Sequence, residues 1–136
     1  MAVQNAALLS QEFVAAALRL GISCNVRYDS QLAPHKGKAL PSGDCAVYVF
    51  TLSEGYGKRT GAGANRALKV GKAGPKCNAR FQSQHYGSRA APSTLAATLL
   101  KTQILWPFIG ISSLDEATVR RWIENNTDRD NFYLVK

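Results

Sequence analysis

One uncharged run of eight residues, Cys45–Leu52 (Cys-Ala-Val-Tyr-Val-Phe-Thr-Leu), does most to restrict the fold. β-Branched and aromatic residues in an unbroken apolar stretch of that length read as a strand buried inside a sheet. A second run, residues 67–71 (Ala-Leu-Lys-Val-Gly), reads as the returning strand. Residues 53–65 between them carry four glycines and two basic residues and predict a long, mobile hairpin loop. Gly74-Pro75 predicts a helix start, since proline is tolerated at the first helical position, with the helix continuing to about Tyr86. Pro92-Ser93 predicts another helix to about Leu105. Residues 106–111 (Trp-Pro-Phe-Ile-Gly-Ile) read as a strand, kept to an edge by Pro107. Ser113 and Glu116 have capping-box spacing ahead of a last helix over residues 114–126, and residues 132–135 add a final strand.

Residues 1–40 read as an added piece. Ser10 is placed to cap a helix over residues 11–20, with Leu9 and Val14 as a hydrophobic staple and Gly21 as its left-handed end. A short strand over residues 22–28 and a Gly/Pro/Ser/Lys-rich connection over 29–43 follow. The expected organisation is an N-terminal helical extension and linker (1–40) before a compact unit (41–136).

Composition excludes several classes. A chain of 136 residues, 46% hydrophobic and 19% charged, can bury a core and is neither disordered nor a disulfide miniprotein. Its three cysteines are few, odd in number and widely spaced, and only His35 and His85 accompany them, so a structural zinc site is not expected. The early apolar stretch, residues 13–18, lies between Glu12 and Arg19 and falls short of the roughly 20 residues a membrane span needs. No signal-peptide pattern is present. A soluble protein in the cytoplasm, with no membrane partner, is the expectation.

Charge is more informative. Residues 55–114 hold nine basic residues and no acidic one, whereas the rest of the chain nets −1 out of a total of +8. A cationic middle in a neutral frame suits a polyanion binder, because each neutralised phosphate releases counterions. The plainer alternative is a solvated basic face that aids solubility. Phosphate cradles are absent: a Walker A loop would need glycine where Arg66 stands, and neither GxGxxG register is complete.

Ala46-Val47-Tyr48 in one strand and Lys69-Val70-Gly71-Lys72-Ala73 in the next, followed by Arg80 and His85-Tyr86, resemble the GIY-YIG nuclease superfamily. The likeness is greatest to its phage-type KVG/KIG members and to the nuclease domain of bacterial excision repair, and it spans residues 45–135. It implies an α+β fold, with a small three-stranded antiparallel sheet flanked by helices. It also implies one Mg²⁺ (or Mn²⁺) ion on a glutamate, and hydrolysis of DNA phosphodiester bonds.

Residue by residue, the resemblance puts Tyr48 beside the attacking water, Lys72 and Arg80 on the phosphate, and Glu116 on the metal, with Glu124 as competitor. His85 stands five residues after Arg80 rather than four, which turns it about 140° away unless the helix ends early. A phenol needs nearby cations to act as a base; Lys69, Lys72 and Arg80 are the candidates. Lys58, Arg59, Arg66, Lys69, Lys76 and Arg89 are the expected contacts to double-stranded DNA. The chain departs from the family pattern at Lys69, where tyrosine is usual, at Ala46 in place of glycine, and in the length of its hairpin loop. A metal-dependent endonuclease, with a homodimer as one arrangement, is the first expectation. The alternative is a non-catalytic DNA-binding module on the same scaffold.

Overall fold

A computed structural model describes residues 2–41, 43–62, 66–87, 89 and 94–135. Four strands, β1 (Asn25–Gln31), β2 (Cys45–Leu52), β3 (Ala67–Ala73) and β4 (Thr127–Val135), form one antiparallel sheet in the order β1-β4-β2-β3. The fold is α+β, as expected, but with four strands rather than three. The extra strand comes from residues 1–40: β1 pairs with β4 over seven residues. The N-terminal segment is therefore part of the sheet and supplies His35 and Leu40 to the buried interior.

Strand alternation sets the two faces. Ala46, Tyr48, Phe50 and Leu52 of β2 are all buried, and their intervening neighbours are only half so. On this inner face pack α3 (Asn78–Gln82), a 3₁₀ turn (Gln84–Tyr86), α4 (Leu95–Lys101) and α6 (Val119–Asn126), which bury Phe81, Tyr86, Leu95, Leu99, Val119 and Ile123. Complete burial of one such aliphatic or phenyl side chain contributes about 1.5–3 kcal/mol. Helix α1 (Ala2–Arg19) covers the other face, with Phe13 stacked on Phe132 at 5.0 Å. It starts well before Ser10, so that residue is no cap. Its end is as read: Gly21 has φ +80°, and the amides of Gly21 and Ile22 donate to Leu18 and Ala17. No helix among the described residues is long and apolar enough to cross a membrane.

Several segments differ from expectation, each for a local reason. Residues 54–60 form α2 (Glu54–Thr60) instead of open loop, because Ser53 Oγ accepts the Tyr56 amide and Tyr56 is buried. The expected strand at 106–111 is a helical turn, α5 (Trp106–Ile109), with Pro107 in its first turn and Gly110 left-handed behind it. The Ser113–Glu116 box does not form: Asp115 Oδ1 takes the amides of Ala117 and Thr118, and α6 begins only at Val119. The helix read from Gly74-Pro75 begins at Asn78 and ends at Gln82. Pro92-Ser93 lies outside the described residues; α4 is capped instead by Thr94, whose Oγ1 accepts the Ala97 amide.

Candidate active site

Strand register builds the site. Tyr48 of β2 lies opposite Gly71 on β3 and opposite Asn131 on β4. A Cβ on Gly71 would sit 2.4 Å from Tyr48 Cε2. Glycine in the Lys69-Val70-Gly71 triplet is thus what leaves room for the phenol ring. Pairing also decides which basic residues share the face. Lys69 is opposite Phe50 and lies with Tyr48 on the inner face, whereas Lys72 is opposite Val47 and lies with it on the outer one. Lys72 is therefore removed from the predicted set, since alternation by one residue reverses the face.

Above the sheet, the early end of α3 brings His85 back. The helix stops at Gln82, Ser83 leaves helical geometry at φ −132° and ψ −29°, and the following 3₁₀ turn places His85 Nε2 2.6 Å from Tyr48 Oη. The geometry fixes the tautomer. The Leu95 amide donates to His85 Nδ1 at 3.1 Å, so the ring proton is on Nε2 and the phenol oxygen accepts it. Burial, reinforced by the charges of Arg129, Lys69 and Arg80, pulls the His85 pKa down to about 4. The ring is neutral near pH 7.

A residue that sequence reasoning missed lies at the centre. Arg129, fully buried, has its guanidinium 4.5 Å from the Tyr48 ring centroid, 4.3 Å from that of Phe81 and 5.0 Å from that of Phe50. Its Nε donates to Asn131 Oδ1 at 2.8 Å and its Nη1 to Tyr86 Oη at 3.4 Å. Its Nη2 is buried without a partner among the described residues. Asn131 in turn donates to Asp29 and Gln31 of β1. A second histidine carries the opposite tautomer: His35 Nδ1 donates to the Thr127 carbonyl at 2.9 Å, leaving Nε2 to accept from Tyr86 Oη at 2.7 Å. The alternation Thr127, Arg129, Asn131, Tyr133 was the available signal. Asp128 and Asp130 alternate with it on the opposite face.

The field at Tyr48 has opposing contributions. Burial raises its pKa and is the largest effect; Arg129 and Arg80 act in the other direction. Of the three cations expected at the phenol only Arg80 acts on it, joined by the unexpected Arg129, and dehydration outweighs both. Arg80 itself is exposed rather than turned inward, yet close enough for its charge to act on both Tyr48 and His85.

Glu116 does not join this group. Its carboxylate is 60% exposed on a loop and bonded to Arg89 Nη2 at 3.1 Å. No three His, Cys, Asp or Glu converge among the described residues, although a hard cation that keeps its waters needs only one protein carboxylate. Glu124, the competitor, is less exposed. It is 20% exposed on α6 with Arg120 at 4.0 Å, and its charge is felt by both His35 and Tyr86.

The expected nucleic-acid contacts Lys58, Arg59, Arg66, Lys76 and Arg89 are all exposed, and Lys69 is half-buried. Lys58 pairs with Glu54 at 3.0 Å, Arg59 reaches Asn126 at 3.5 Å, and Arg66 donates to the Phe108 carbonyl at 3.2 Å. Comparison of the chain with family models, curated proteins and solved structures finds no match.

Proposed function

We propose that the chain is a divalent-metal-dependent endonuclease acting on DNA, of the GIY-YIG type its sequence resembles. One observation carries the reading: a tautomerically fixed His85 donates into the oxygen of Tyr48 at 2.6 Å, beside Arg80 and above a buried Arg129. A hydrogen bond into the phenol oxygen and two nearby cations act toward the phenolate, the form able to take a proton from water, and offset part of the larger rise in pKa that burial imposes. Arg80, exposed at the edge of this cluster, has the forked geometry that suits two phosphate oxygens and stabilises charge building on them. Glu124 would hold a Mg²⁺ or Mn²⁺ ion, which when bound supplies Lewis-acid stabilisation of the same charge.

A second reading is favoured by the complete burial of Tyr48: a DNA-binding module that keeps the scaffold without cutting. Supercoiled plasmid incubated with pure protein, with and without Mg²⁺ or Mn²⁺, separates the two. The nuclease reading expects metal-dependent nicking that falls at least about 10²-fold in Tyr48→Phe and in Arg80→Ala, while most binding persists. Glu124→Gln should lose metal dependence and Glu116→Gln should keep it. Salt-sensitive binding with no nicking by the unmodified protein would establish the module and discard the hydrolytic assignment.

A further inference from the structure

The stretch after α4 holds three large apolar side chains out in water. Ile104 is 82% exposed, Phe108 65% and Leu105 50%. They are not on a loose loop. Trp106 Nε1 donates to the Leu99 carbonyl at 2.8 Å, and Ile109 is buried in the core. Three of the four carbonyls of α5 are engaged. Trp106 accepts from the Gly110 and Ile111 amides, Phe108 from Arg66 Nη1, and Ile109 from Tyr56 Oη at 2.8 Å. Gly110, left-handed at φ +75°, lies so close to α2 that a Cβ there would be 2.5 Å from Thr60 Cβ. A short apolar prong is thus fixed in place before any partner arrives, so little ordering cost remains on binding.

The surroundings identify the partner. Arg66 bonds the prong directly, Lys101 ends the preceding helix, and Arg59 lies over the Tyr56 ring at 5.8 Å. No acidic residue occurs from 55 to 114. Pairing two copies of this patch would bring like charges together, and three side chains on two short helical turns (Gln103–Leu105 and α5) present too little apolar area for a membrane surface. A polyanion with apolar interiors between its charges fits both features, and duplex DNA is that polymer: phosphates meet the arginines while an apolar side chain enters between base pairs.

We infer that Phe108 and Ile104 form a wedge that unstacks one base step of bound duplex DNA, with Arg66 and Lys101 on the flanking phosphates. The inference rests on the DNA-binding part of the proposed function and not on its hydrolytic part. The test uses duplexes carrying 2-aminopurine at successive positions, titrated with the full chain at two salt concentrations. Unmodified protein should raise 2-aminopurine fluorescence at one step. The double variant Ile104→Ser/Phe108→Ser should abolish that rise and weaken binding about tenfold, with unchanged circular dichroism. Arg66→Gln should keep the rise but lower the salt slope by about one.

Duplex binding without any fluorescence change would overturn the wedge while leaving the nuclease reading intact. Failure to bind duplex at all would remove both. Loss of phosphatidylserine-vesicle binding or of self-association in the double variant, with DNA binding unaltered, would assign the prong to a membrane or to a second copy and overturn the wedge.

Discussion

The centre of the sheet and the loop-rich stretch from 102 to 118 treat polar chemistry in opposite ways. In β2 and β4, pairing fixes Tyr48, Arg129 and Asn131 on one face, where all but the Nη2 of Arg129 meet a named partner in a dry interior. In the 102–118 stretch the reverse holds: Ile104 and Phe108 face water, and Glu116 shares its charge with an exposed arginine. Interactions in a low dielectric are strong and costly to break, whereas those in water are weak. Arg129 and Arg89, of equal formal charge, are therefore far from equal in effect. The comparison makes quantitative claims.

The largest effect should come with acid. In the unfolded chain an imidazole takes its proton near pH 6.5, whereas His85 in the fold resists protonation down to about pH 4 because it is buried. Between those values the unfolded chain holds the extra proton, so stability is fully present above about pH 7 and is lost as pH falls. On the order of 3 kcal/mol should disappear across that window. His35, also shifted down by burial, adds in the same direction. Urea unfolding at stepped pH should show the slope, and His85→Gln should leave only the smaller slope due to His35. A flat profile for the unmodified protein would place His85 in water and dissolve the contrast.

Gly71→Ala should come next. The added methyl meets the Tyr48 ring at 2.4 Å, and that ring cannot withdraw because His85, Phe81 and Arg129 surround it. Overpacking in such a site costs about 1–3 kcal/mol. Chemical denaturation should therefore show a clearly lower midpoint with an unchanged m-value. On the proposed nuclease reading, nicking should fall as well, because the shift displaces the phenol.

These two residues also show what could be read from the sequence. The apolar run of β2 and the Val-Gly end of β3 identified the paired strands, and helix signals before Arg80 were present if misplaced, so the Tyr48–Arg80 neighbourhood was legible. The face on which Lys72 falls follows from alternation with Gly71, but which face is the inner one depends on the pairing of Gly71 with Tyr48 across the sheet, which no pattern local to β3 encodes. Arg129 was hidden because a buried guanidinium between two aspartates looks like surface. Its burial follows from aromatic rings contributed by β2 and α3, far away in the chain. The start of the last helix was displaced by a competition between caps. Ser113 and Glu116 have the right spacing, but Asp115 offers a stronger acceptor to the same amides and delays the helix to Val119.

The smallest effect tests the other half of the comparison. Glu116→Ala removes a carboxylate whose one recorded partner, Arg89, is itself mostly exposed. An exposed pair separated by 27 positions in sequence must order two long side chains in water, and such pairs contribute about 0–1 kcal/mol. The thermal midpoint should hardly move, and the change should vanish in high salt, where screening removes what attraction there is. On the proposed nuclease reading, nicking should persist in this variant and be lost in Glu124→Gln, whose carboxylate lies where His35 and Tyr86 feel its charge. If Glu116→Ala instead ended metal-dependent nicking at unchanged stability, the exposed loop would carry the chemistry. The buried cluster would then be only the scaffold beneath it.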